Sequence, residues 1–273
     1  LPRLLGQQVE ALVAKGVADQ VELARGAIRW NGQVLAQLEA KEGQARPLLV
    51  PSREVAALPE NPRKALLAAL ETWLDTVLAL LDPLEKLHRA ASDPEAGSQA
   101  RALLLNLLAG HGFVTREQAG IEHLPKEMRP FLRKIGVTFG ALDIFAPALL
   151  KPAPRQLLNA LGVDRRPLQD AMLPVIADTK KLPSGYRHAG TQAIRIDLGE
   201  KILRAAHETR AKAQAKDRRR KFVLDLALPI SIGLEEGNIA RLLGNSGFRV
   251  QKARPLPEGQ FGPPRPDQWE WRP

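Results

Sequence analysis

Residues 61–87, NPRKALLAALETWLDTVLALLDPLEKL, carry the periodicity on which the fold reading turns. Leu66, Leu70, Trp73, Val77, Leu80, Leu84 and Leu87 recur at alternating spacings of four and three, and Leu67, Leu74, Leu78 and Leu81 widen the stripe. An apolar face this broad belongs to a helix packed on more than one side, the centre of a helical body. Asn61 is the expected N-cap and Pro62 the first helical residue. Pro83 has no amide hydrogen and is expected to kink or divide the helix.

Upstream, PRLLGQQVEALVAKG reads as a helix opened by Pro2 and closed by Gly16, with Leu5, Val9, Leu12 and Val13 on one face. AIRW and QVLAQL flank Asn31-Gly32, the strongest short-range hairpin signal, and Arg46 to Val50 can add a third strand before Pro51. Downstream, Asp93-Pro94 opens a helix that runs through Leu103–Leu108 to Gly110. Further helices are expected over Pro125–Ile135, Pro154–Leu161, Ala193–Lys216 and Glu235–Leu243, each stopped by or near a glycine or a change of pattern. Glu200–Arg204 and Glu208–Lys212 stand at i,i+4, which predicts a solvated face for that long helix. From Ala253 onward, prolines, glycines and charges leave little to pack. The expected fold is mainly α: a multi-helix body, a small antiparallel hairpin or three-strand sheet near the N-terminus, and a flexible Pro-rich C-terminal tail. The expected divisions are 1–58 (helix plus hairpin), 59–252 (helical accessory domain) and 253–273 (tail).

The 273 residues contain no cysteine, which excludes disulfides and thiolate metal sites and suits a reducing compartment; a cytoplasmic location is expected. No apolar run approaches the roughly 18 residues of a spanning helix, so no membrane partner is expected. Leu1 leads directly into an amphipathic pattern, as in a piece of a longer protein. The net charge is +10, and RAKAQAKDRRRK, from Arg210 to Lys221, holds seven cations against one anion. Such clustering fits a polyanionic partner; a solvated helix end is the plainer alternative.

Motifs for catalysis are missing. There is no GxxxxGK loop to cradle a nucleotide's phosphates and no GxGxxG turn. His88, His111, His123, His188 and His207 lack metal-ligand spacing, and Gly244-Asn245-Ser246-Gly247 follows a helix where a cap is expected rather than a strained nucleophile turn. No catalytic residue, metal or cofactor is assigned to this chain.

Binding chemistry is better represented. Lys180, Lys181, Tyr186 and Arg187 fall in TKKLPSGYRHAG, read as a loop that joins phosphate-seeking cations to one ring able to stack on a base. The alternative is a connecting loop whose Tyr186 covers the edge of the core. Arg218, Arg219, Arg220 and Lys221 form the densest cationic group, and Arg133, Lys134, Lys151 and Arg155 complete the candidate nucleic-acid contacts, although helix solubility also explains these last four.

Three segments, RKIGVTFGALDIFAPALLKPAPRQLLNALG (133–162), GYRHAGTQAIRIDLGEKIL (185–203) and GLEEGNIARLLGNSGFRV (233–250), resemble the C-terminal region of a bacterial helicase family. Its members are the alphaproteobacterial relatives of the mitochondrial degradosome RNA helicase, ATP-dependent DExH enzymes of superfamily two. The likeness spans about two thirds of the chain and is most specific from His111 to Val250. It implies a parent protein that hydrolyses ATP with Mg on two motor domains and threads single-stranded RNA against a helical accessory region. None of the ATPase motifs is in this chain, so it is expected to be inert towards ATP by itself. The expected partners are single-stranded RNA, with DNA as the second option, the motor domains of the same protein, and a nuclease. The competing reading is a helical scaffold that docks the motor or a nuclease.

Overall fold

A computed structural model describes residues 2–39, 46–168, 172–215, 217, 220–253, 262–263 and 265–272. In chain order the elements are α1 (Pro2–Lys15), β1 (Val21–Ala24), β2 (Ala27–Trp30), β3 (Gln33–Glu39), β4 (Leu48–Pro51), α2 (Arg53–Ala56), α3 (Glu60–Leu78), α4 (Asp82–Ser92), α5 (Ser98–Ala109), β5 (Phe113–Thr115), α6 (Met128–Lys134), β6 (Thr138–Phe139), β7 (Asp143–Phe145), α7 (Pro152–Ala160), β8 (Val175–Ala177), β9 (Tyr186–Ala189), β10 (Gln192–Arg195), α8 (Ile196–Ala213), α9 (Ala227–Ser231), α10 (Glu236–Gly244), β11 (Phe248–Gln251) and β12 (Gln268–Trp271). The chain divides into two compact units, Leu1–Gly112 with Ala148–Leu168, and Phe113–Pro147 with Gln169–Pro273. Residue 58 lies within the first and residue 252 within the second. No helix among the described residues is long and apolar enough to cross a membrane.

In the first unit the antiparallel sheet has four strands in the order β1-β2-β3-β4. Asn31 and Gly32, at φ of 49° and 78°, make the tight turn between β2 and β3, and Arg25 and Gly26, at 52° and 72°, make a matching one between β1 and β2. Two successive positive φ values match the twist of paired strands; glycine and asparagine adopt them readily, whereas Arg25 gives no such signal in the sequence. Val9 and Leu12 of α1, Ile28, Leu35 and Ala36 of the sheet, and Leu66 and Leu70 of α3 share one core. The leucine-rich helix divides as Pro83 predicts: α3 ends at Leu78, a 3-10 turn covers Ala79–Leu81, and Pro83 sits in the first turn of α4.

The second unit corrects the expected fold class. Among the described residues the structure is 47% helical and 19% strand, with four small antiparallel sheets spread along the chain, so the protein is mixed α/β rather than mainly α with one N-terminal sheet. Three of the sheets, β5-β7-β6, β8-β10-β9 and β11-β12, belong to this unit. Their strands are two to four residues long, too short for a two-residue alternation to stand out against helical patterning. Residues 193–195, expected in a helix, belong to strand β10, and α8 follows from Ile196.

The C-terminal tail is corrected as well. Gln268–Trp271 pairs with Phe248–Gln251, Val250 opposite Trp269, and Trp269 also bridges Phe222. Trp269 is buried in a core with Phe222, Phe248, Ile202, Leu203 and Leu242. Burying an indole outweighs the ordering cost of a short strand, which Pro and Gly counts do not register. Residues 254–261, 264 and 273 lie outside the described residues.

Candidate nucleic-acid interface

The second unit contains a cleft of about 890 Å³. One wall is α8, whose Ile202, Leu203 and Ala206 face the core while Glu200, Arg204 and His207 face the cleft. The Gly244–Gly247 turn between α10 and β11 forms another wall, with Arg249, Trp271 and Arg272 beside it, and Arg116, Glu122, Phe139, Gly140 and Ala141 complete the lining. Four arginines therefore face two carboxylates, Glu122 and Glu200.

Glu200 builds the floor. Its carboxylate accepts hydrogen bonds from the amides of Ala141 at 2.6 Å, Leu142 at 2.7 Å and Asp143 at 2.7 Å. Only 3% of the residue is exposed, so the solvated i,i+4 pair expected with Arg204 does not form; three amide donors in a buried turn are the better partners for a desolvated carboxylate. Gly140 makes that approach possible, since a Cβ there would overlap the Glu200 carboxylate.

The arginines are tied to different degrees. Arg116 Nη1 donates to Gly140 O at 3.0 Å, Arg249 Nη1 donates to Gly244 O at 3.0 Å, and Arg272 pairs with Glu270 at 2.7 Å. Arg204 is exposed and makes no hydrogen bond or ion pair with the described residues. The rings are anchored. Trp271 Nε1 donates to Ser246 O at 2.8 Å, and the Arg210 guanidinium lies 4.0 Å from the indole centroid. His207 stacks tilted on Phe248 with centroids 4.8 Å apart. Burial, and secondarily Arg210, pull its pKa below the ordinary 6.5, which favours the neutral imidazole.

His207 Nε2 and Ser246 Oγ lie 2.8 Å apart, a nucleophile and base spacing. The backbone amides that would hold a developing oxyanion are already committed: Ser246 N donates to Leu243 O and Gly247 N to Gly244 O. The pair ties α8 to the Gly244–Gly247 turn.

The expected contact residues separate. Arg133 and Lys134 are exposed on α6, and the Arg133 guanidinium lies 5.9 Å from the Phe139 ring centroid, beside the cleft. Lys180 and Lys181 are exposed. Tyr186 is a correction: it starts strand β9, is 3% exposed, and its hydroxyl donates to Leu173 O at 2.6 Å, so the ring covers the core and offers no stacking face. Arg187 is tied to the buried Asp143. Burial pushes the Asp143 carboxyl up to about 6, against the pull of Arg187.

Arg155 is a second correction. It is fully buried in the first unit, pairs with Asp164 at 3.4 Å and donates to His111 O at 2.7 Å, which removes it from any phosphate; burial draws its pKa down to about 10. Lys151, exposed at the start of α7, also lies in the first unit. Arg220 and Lys221 are exposed, with Lys221 Nζ donating to Gln251; Arg218 and Arg219 lie outside the described residues.

Sequence reading missed Arg116, Arg204, His207, Arg249, Trp271 and Arg272. Two tryptophans at 269 and 271, an i,i+2 strand spacing with one buried ring, were the available signal for this wall. No family model, curated protein or solved structure matches the chain.

Proposed function

We propose that this chain is the accessory region of an ATP-dependent RNA helicase and that the arginine-lined cleft of its second unit grips single-stranded nucleic acid, RNA in preference to DNA. The observation that carries this reading is the convergence of four guanidiniums with the rings of Phe139 and Trp271 in one cleft. Phosphate neutralisation and base stacking are the two contributions by which single strands are held without sequence preference. Lys180, Lys181, Arg220 and Lys221, exposed on the same unit, add long-range attraction. The chain itself performs no chemistry in this reading; ATP and Mg belong to the motor of the parent protein.

Anisotropy of a labelled 20-nucleotide single-stranded RNA at two salt concentrations tests the proposal. Neutralisation of about four phosphates predicts a loss of affinity of about 50-fold between 50 and 200 mM salt. Absence of binding at 50 mM would overturn it.

A second reading, a scaffold that docks the motor or a nuclease, draws support from a cleft of about 550 Å³ in the first unit, lined by Leu78, Leu81, Leu84 and Leu108. Leu84→Glu would then abolish association with the motor domains and leave RNA affinity unchanged, whereas unchanged association would dismiss it.

A further inference from the structure

We propose that the cleft of the second unit is a receptor for one nucleotide, with Arg204, Arg249 and Arg272 on its phosphate and the Trp271 indole under its base. This rests on the nucleic-acid reading of the same cleft and narrows it from a strand-tracking groove to a discrete pocket.

The volume, about 890 Å³, falls within the roughly 300 to 1,000 Å³ of small-molecule sites. Its lining also divides by chemistry. Arg204 carries no partner among the described residues, and Arg249 uses only Nη1 on carbonyl oxygens, so its Nε and Nη2 hydrogens remain available. Arg272 is held by Glu270 in a solvent-exposed pair that a phosphate can replace at small cost. Glu200, the carboxylate at the floor, is saturated by three amides and keeps its position when an anion enters.

Trp271 is prepared for stacking. Its Nε1 is bonded, its strand is paired with β11, and Arg210 covers one face. Arg210 is not among the lining residues whereas Trp271 is, and His207 meets the indole edge-on from the same cleft, with centroids 6.1 Å apart. A ring fixed in advance loses little entropy when a base lies against it, which favours a single well-seated nucleotide. A strand engaged here is held at a terminal or splayed-out nucleotide, and a free mononucleotide competes with it.

The full chain is titrated with adenosine 5′-monophosphate and with ribose 5-phosphate, following tryptophan fluorescence, and the labelled 20-nucleotide RNA is followed in parallel by anisotropy. The expected result is saturable binding of the nucleotide, ribose 5-phosphate weaker by about tenfold or more from the missing stack, and displacement of the RNA by the nucleotide. Arg204→Gln, on an exposed helix face, weakens the nucleotide about tenfold with an unchanged melting temperature. Trp271→Leu brings the nucleotide to the affinity of ribose 5-phosphate, and Trp271→Phe retains the difference; if Trp271→Leu fails to fold, the wild-type comparison of the two ligands decides. Equal binding of nucleotide and ribose 5-phosphate would reduce the cleft to an anion site and overturn the proposal. Failure of the nucleotide to bind while the RNA binds would overturn it and leave the nucleic-acid reading intact. Failure of both would remove the two together.

Discussion

Gly140 and Glu200 are fitted to each other: the Glu200 carboxylate occupies the space that any side chain at 140 would fill, and the amides of the next three residues close around it. This couples the β6–β7 turn to α8 and sets the floor of the cleft before any ligand is present. Its strength follows from burial, because three amide donors and one carboxylate all lose water when the unit folds.

A methyl group at position 140 breaks that fit. Its carbon would also stand 2.6 Å from Asp143 O, a backbone atom that cannot swing aside. Gly140→Ala is expected to cost about 2 to 4 kcal/mol by denaturant unfolding. Gly237→Ala in α10, which meets nothing within 4 Å, is the control and should be neutral or stabilising by up to about 1 kcal/mol.

Removing the acceptor should be worse than weakening it. Glu200→Ala strands three amides at about 1 to 3 kcal/mol each, less than additively, and is expected to cost more than 3 kcal/mol. Glu200→Gln keeps one acceptor oxygen and should lose about half as much. Equal losses in chemical denaturation would mean that the carboxylate is not the acceptor that matters.

Asp143 predicts a pH dependence of stability. Its folded pKa, about 6, lies above its ordinary 3.8, so the folded chain holds the proton more tightly than the unfolded one. The associated stabilisation is complete below about pH 4 and is lost as pH rises through 6, on the order of 2 to 3 kcal/mol at 1.36 kcal/mol per unit. The difference in unfolding free energy between wild type and Asp143→Asn should therefore change between about pH 4 and pH 7 and be flat above it. A flat difference throughout would contradict the assignment.

Tyr186 and Arg204 should respond oppositely. Tyr186→Phe removes a bond to Leu173 O and is expected to cost about 1 kcal/mol of stability with no change in RNA affinity.

Arg204→Gln should leave stability within about 0.5 kcal/mol and lower the slope of log affinity against log salt by about 0.7, one phosphate contact. Isothermal denaturation and salt-dependent anisotropy on both variants provide the comparison.

The sequence by itself determined what depends on neighbours along the chain. Asn31-Gly32 placed a hairpin turn, Pro83 divided the leucine-rich helix, and glycines followed the ends of α1, α5, α6 and α7. Each of these works through a few adjacent residues, where backbone sterics are readable directly. Only the tertiary structure decided the rest. Glu200 meets amides 57 to 59 residues away, and β12 finds β11 across a Pro-rich stretch. Tyr186 and Arg155, which read as candidate surface contacts, turn inward, and their polar ends reach Leu173 O and the buried Asp164 carboxylate. Arg204, which read as half of a surface ion pair, has no partner among the described residues, because Glu200 is held by the amides of 141–143. Polar groups in a desolvated interior take whatever partner the fold brings within reach, and that choice is set by long-range packing rather than by position in sequence.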